Sequence, residues 1–150
     1  MTAESTLSIM MKDLIIAREI LETQELSLVV VKSGATIFTS KASGVLGLVN
    51  AIISCGSTMR GASVADRVIG RAAALLCVYS GVLEVYAALA SEPGRHVLEK
   101  HKIPIEYHDI VPNILDRNRV GMCPFEKLTE KIESPEEAFL SIVECLKSVK

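Results

Sequence analysis

The chain has 150 residues, about one domain, a size that buries roughly two-thirds of the surface its unfolded form exposes. With 49% hydrophobic residues, 4% aromatics and no Trp, its core must be built of Val, Ile, Leu and Ala, which suits helices packed on a largely buried sheet. The net charge of −2, from 16 basic and 18 acidic residues, lacks the basic excess that neutralises nucleic-acid phosphates, so no nucleic-acid partner is expected.

The chain opens with an amphipathic helix, because Leu7, Met10, Met11, Leu14, Ile15, Ile20 and Leu21 recur at helical spacing, with Lys12, Asp13, Glu19 and Glu22 between them. Leu26 to Val31 reads as a strand. Lys32-Ser33-Gly34 turns the chain into a second strand, Ala35 to Thr39, and the two are expected to pair antiparallel. Ser43 is placed to cap a helix running to about Ile53, followed by a small-residue loop to Gly61. The uncharged run Ala42 to Met59 holds only ten apolar residues and three glycines in 18, whereas a membrane span needs about 20 mostly apolar ones. No membrane association is expected.

Ala62 to Ala65 reads as a short strand leading into Asp66, an N-cap for an apolar helix that stops at Ser80-Gly81. Val82 to Ala90 is a strand, Ser91-Glu92-Pro93 starts a helix reaching about His101, and Ile105 to Ile110 is a fifth strand. Pro112 and Pro124 are expected to introduce short helical pieces. Ser134-Pro135-Glu136-Glu137 is a capping box for the last helix. A hairpin followed by alternating strands and helices predicts a single α/β domain over residues 1–150, three-layer α/β/α with a mixed sheet.

The segment Met1 to Ser5 carries no basic leader or small-residue cleavage site, which predicts a cytoplasmic protein. Cys55, Cys77, Cys123 and Cys145 form no Cys-x-x-Cys pair, and free thiols are expected. His96, His101 and His108 lack metal-ligand spacing, so no metal or other cofactor is predicted.

The strongest site signal is Asp66-Arg67-Val68-Ile69-Gly70-Arg71. If this is a helix start, two arginines four apart share one face near the positive end of the dipole, at a cost of roughly 0.2–0.5 kcal/mol that a bound anion would relieve. Gly70 would cost about 1 kcal/mol relative to Ala inside a helix, which points to close approach by another backbone or a ligand. The same residues would serve equally as a helix cap and two surface ion pairs. Lys41, just before Ser43-Gly44, is a further cation for an anion site. Cys123-Pro124-Phe125-Glu126 places a sulfur at a helix start with Arg119 nearby, which offers a nucleophile, although a small apolar contact explains it as well.

The hairpin residues Leu28 to Gly34, the stretch Asp66 to Ala74, Val85-Tyr86-Ala87 and Cys123 to Glu126 together resemble an uncharacterised family of small prokaryotic proteins of unknown function placed in the cytidine-deaminase-like superfamily. The resemblance implies a five-stranded mixed sheet and a cleft between two helix starts where active deaminases hold zinc with His-x-Glu or Cys-x-Glu and Pro-Cys-x-x-Cys. Here the first position reads Asp66-Arg67-Val68 and the second Ser91-Glu92-Pro93-Gly94-Arg95-His96, so the glutamate and both thiolates are missing and a zinc-dependent deaminase is not expected.

The function these residues predict is binding of a nucleotide-like or other anionic small molecule by Lys41, Arg67, Gly70, Arg71, Ser91 and Glu92, with Asp66 and Cys123 as the candidate catalytic groups. The alternatives are a cysteine-dependent enzyme using Cys123, or a non-catalytic scaffold that dimerises through an apolar helix or sheet edge. The sequence names no reaction.

Overall fold

A computed structural model describes residues 3–116 and 118–148, with side chains from Lys12 onward. The elements run α1 (Ala3–Thr23), β1 (Leu28–Lys32), β2 (Ala35–Ser40), α2 (Leu46–Cys55), a 3₁₀ turn (Gly56–Met59), β3 (Ser63–Ile69), α3 (Arg71–Ser80), β4 (Glu84–Ser91), α4 (Glu92–Lys100), β5 (Ile105–Val111), α5 (Pro124–Thr129) and α6 (Pro135–Ser148). The five strands form one mixed sheet in the order β2-β1-β3-β4-β5. β1 is antiparallel to both β2 and β3, and β3, β4 and β5 are mutually parallel neighbours.

Strand periodicity divides the core in two. Val29 and Val31 join Ala65 and Tyr86 under Leu14, Ala17 and Leu21 of α1. Leu28 and Val30 point the other way and join Val64, Val85 and Ala87 beneath residues of α2, α3 and α4. α6 lies against α3 and α2, while α5 packs on α3 and α6. No helix among the described residues is long and apolar enough to cross a membrane.

The hairpin is held from outside itself. Ser33 and Gly34 both take positive φ, 52° and 80°, and the buried Asp13 carboxylate of α1 accepts both of their N–H groups at 2.9 Å. One side chain thus fixes the turn and docks the helix onto the sheet. Asp13→Ala is expected to cost about 3 kcal/mol in urea unfolding, since two charge-assisted bonds are lost from a buried site.

Several expected boundaries move, each because tertiary pairing prevails over a local signal. β3 does not stop at Ala65. Its pairing with β4 continues to Ile69 opposite Ala90, so Asp66 lies within a strand and is not the N-cap of α3. Gly70 takes that place with extended backbone, and the helix begins at Arg71. Ser43 caps nothing either: α2 starts at Leu46, with Val45 at its N-cap and no side-chain cap. Pro112 introduces a bend where a helical piece was expected. The capping role of Ser134 holds, its hydroxyl accepting the Glu137 N–H at 3.2 Å.

Candidate functional site

Because β3 runs on through Asp66 and Arg67, these neighbours face opposite sides of the sheet. Arg67 turns toward the end of α1, where its Nε donates to the Leu26 carbonyl at 2.6 Å and its Nη2 to the Leu21 carbonyl at 3.0 Å. A cation at carbonyls of a helix C-terminus is favoured by the helix dipole. Among the described residues no carboxylate lies within ion-pair distance of it.

Asp66 lies on the α3 side with Val64 and is 7% exposed. Burial pushes its pKa up to about 7, although the Val68 and Arg67 backbone N–H groups pull it down. The Val68 N–H donates to Oδ1 at 3.2 Å. Burial, and then the Asp66 charge, raise the thiol of Cys77 on α3. Among the described residues no cation pairs with it, so a carboxyl in a site this dry sits near its midpoint at neutral pH, and can donate or accept a hydrogen bond.

The cleft beside it, about 190 Å³, is lined by Ser27, Leu28, Ala42, Ser43, Gly44, Asp66, Arg67 and Val68. It opens where β1 begins and the parallel strands end, since Leu28 is paired with Asp66. Ligands of open α/β sheets bind at that end of the strands. Lys41 is exposed next to the cleft wall, and its carbonyl accepts the Ser27 hydroxyl at 3.2 Å.

Arg71 belongs to a different cluster, so the expected two-arginine face does not form. Its backbone N–H and that of Ala72 donate to the two carboxylate oxygens of Glu126, at 2.6 and 2.8 Å. Its guanidinium reaches α5 and the turn beyond, bonding the Thr129 carbonyl at 2.8 Å, the Ile132 carbonyl, and Glu133. The anion expected at this helix start is therefore supplied by the chain itself.

Gly70 does serve close approach, though at a helix cap and not inside the helix. A Cβ there would lie 2.6 Å from the Glu126 carboxyl carbon. Gly94, in the first turn of α4, packs so tightly that its Cβ would lie 2.8 Å from the Gly70 carbonyl. The Ser91 hydroxyl is fully buried and accepts the Gly94 N–H as N-cap of α4. Glu92 is exposed and paired with Arg95 at 2.8 Å. Arg71 and Glu92 share an open depression with Pro93, Arg95, His96, Glu99 and Pro112.

A zinc ion at these two helix starts, which the deaminase resemblance implies, would need three protein ligands. The side chains there are Arg71, Ser91, Glu92 and a Glu126 carboxylate spent on two amides, and Gly94 presses directly on Gly70. These residues do not fit zinc. Among the described residues no three His, Cys, Asp or Glu side chains converge as a metal-binding group.

Cys123 is half-buried at the N-cap of α5, its carbonyl accepting the Glu126 and Lys127 N–H groups at 2.9 and 3.1 Å. The C-terminal segment thus folds back onto the start of α3, through Glu126. All four cysteines are free. The sequence offered no means of finding Glu126, 55 positions from Arg71.

The strand order and the helices on both faces of the sheet define an α/β/α protein with a mixed five-stranded sheet. A family profile described as a domain of unknown function, DUF1893, matches residues 16–146, and the chain belongs to that family. It is similar to a DUF1893 family protein from Thermotoga maritima, with 29% identity over 89% of each chain and a TM-score of 0.81. It is also similar to RibD from Acinetobacter baumannii, at 20% identity over 66% of this chain and 36% of that one, with a TM-score of 0.50. That second likeness concerns the fold alone. No match was found among curated proteins.

Proposed function

We propose that the protein is a small-molecule-binding domain whose anionic ligand sits in the Asp66 cleft. The observation that carries this reading is Asp66 itself, a buried carboxyl without a cationic partner among the described residues, kept at the wall of an open cleft at the carboxyl end of the parallel strands. A carboxyl whose pKa is displaced by burial at the wall of a cleft is a candidate functional group on physical grounds. Arg67 lines the cleft as well, its guanidinium held at the Leu26 and Leu21 carbonyls with no carboxylate among the described residues to compensate it, and Ser27 and Ser43 supply hydroxyls.

Size narrows the ligand. At about 190 Å³ the cleft is smaller than the roughly 300–1,000 Å³ usual for drug-sized molecules. It suits a single ring or a sugar phosphate, or one end of a nucleotide, with the remainder outside toward Lys41. Protonated Asp66 would donate to a ring or hydroxyl acceptor, and ionised Asp66 would repel the anion. Affinity should accordingly fall about tenfold between about pH 6 and about pH 8.

A thermal-shift panel of pyrimidines, purines, sugar phosphates and nucleoside monophosphates at these two pH values tests the reading. The expected result is a shift by at least one anionic member, larger at the lower pH and lost in Asp66→Ala. No shift from any member, or a shift that Asp66→Ala leaves unchanged, would overturn it.

A further inference from the structure

The α1 side of the sheet, opposite Asp66, carries a second and larger cleft. α1 lies across β1 and β3 and reaches only the near side of β4. Beyond its edge a cleft of about 370 Å³ opens between α1 and the strands β4 and β5, a volume within the roughly 300–1,000 Å³ usual for small-molecule sites. Leu14 and Ile15 give it an apolar wall.

Its charge is one-sided. Glu19 and Glu22 of α1 line it together with Glu84 of β4 and Glu106 of β5, and Arg18 is the cation among them. Arg18 is already engaged, its Nε donating to Glu22 at 3.1 Å and its guanidinium lying 4.5 Å from the centre of the Tyr86 ring. Among the described residues Glu19, Glu84 and Glu106 have no ion-pair partner.

Glu84 distinguishes this cleft from a solvated acidic surface. It is 9% exposed, and its hydrogen bond is the one that the Ser63 hydroxyl donates to Oε2 at 2.6 Å. Among the described residues no side-chain donor reaches Oε1, and no fully buried side-chain oxygen lacks a partner, so Oε1 is the oxygen that meets the cleft. Burial raises the Glu84 pKa, and the charges of Asp13 and Glu106 raise it further, against the pull of the Ser63 bond. A carboxylate buried among like charges is costly unless a cation joins it.

The spread of the carboxylates selects the cation. Among the described residues no three His, Cys, Asp or Glu side chains converge as a metal-binding group, so these charges are too far apart to share one metal ion. Two ammonium groups separated by an apolar chain match both the charges and the Leu14 and Ile15 wall.

We infer that this cleft binds an aliphatic diamine, one ammonium group held by Glu84 and Glu106 on the strands and the other by Glu19 on α1.

Protein-observed NMR on the full chain at fixed ionic strength tests the inference, with 1,4-diaminobutane as the probe and butylamine, magnesium chloride and tetralysine as comparisons. Amide shifts should gather at Ser63, Glu84, Glu106 and Arg18 to Glu22, and the diamine should bind about tenfold or more tightly than butylamine, because its second ammonium group binds within the same molecule. Glu84→Gln and Glu106→Gln should each weaken diamine binding about tenfold. The second changes an exposed residue and serves if Glu84→Gln does not fold. Equal binding of butylamine, tighter binding of magnesium or tetralysine, shifts centred on other surfaces, or an affinity that Glu106→Gln leaves unchanged would overturn the inference.

Discussion

Asp66→Asn is expected to make the protein more stable at neutral and alkaline pH. Burial raises the Asp66 pKa from its ordinary value of 3.8 to about 7, a rise worth about 4 kcal/mol at 1.36 kcal/mol per pKa unit. The sign comes from proton linkage. The native state binds the Asp66 proton more tightly than the unfolded state, so stability falls as pH rises through the window from about 4 to about 7, and the full cost stands above it. Asn has the same shape, keeps an oxygen to accept the Val68 N–H, and carries no charge to desolvate.

Urea unfolding across that window should show the variant ahead of the wild type by about 3 kcal/mol near pH 8, after about 1 kcal/mol for an incompletely bonded amide, and behind it by about that 1 kcal/mol near pH 4. A wild type whose stability relative to Asp66→Asn does not change with pH would mean that Asp66 is not a desolvated carboxylate. A charge retained at such a cost to stability is what a functional site predicts, because sites selected only for stability do not keep one.

Gly94→Ala should have the opposite effect. The added Cβ would lie 2.8 Å from the carbonyl carbon and oxygen of Gly70 and from the Ile69 carbonyl oxygen. All three are backbone atoms of the β3–α3 junction, which the β4 pairing and the Glu126 contacts fix from both sides. A flexible side chain could move aside, but here α4 must shift as a whole. The expected loss is about 3 kcal/mol, the upper end for overpacking, read from the denaturation midpoint. Gly121→Ala is the matched control, since its Cβ would meet only an Asp116 oxygen at 3.8 Å, and it should stay within about 0.5 kcal/mol of wild type. Equal effects of the two substitutions would refute the close packing of the two helix starts.

The architecture was legible in the sequence because it is written in local signals. The apolar run Leu28 to Val31, the turn glycine at Gly34, the stop at Gly81 and the Ser91-Glu92-Pro93 start each depend on a few adjacent residues, and each is found where expected. Asp66 was misplaced for the converse reason. Aspartate before an apolar run is a good N-cap pattern, and only the β4 partner, opposite from Ser63 through Ile69, extends the strand past it. The two arginines then separate, one to the end of α1 and the other to α5.

The candidate site was legible in part. The sequence pointed to a bound anion at a helix start beginning with Asp66, whereas the helix starts at Arg71 and the group on its first N–H groups is the Glu126 carboxylate, which no local pattern links to residues so distant in the chain. What remained hidden was the cleft, which requires Ser27, Ser43 and Asp66 to meet from three separate segments.

The central claim, that the Asp66 cleft is the ligand site, is tested most directly by protein-observed NMR with the tightest member of the nucleotide and sugar-phosphate panel. Amide shifts on titration should concentrate at Ser27, Ser43, Gly44, Arg67 and Val68, and the Asp66 carboxyl carbon should titrate near pH 7 without ligand and higher with it. Shifts confined to other surfaces, or an Asp66 carboxyl that titrates near 4 and ignores the ligand, would contradict the account.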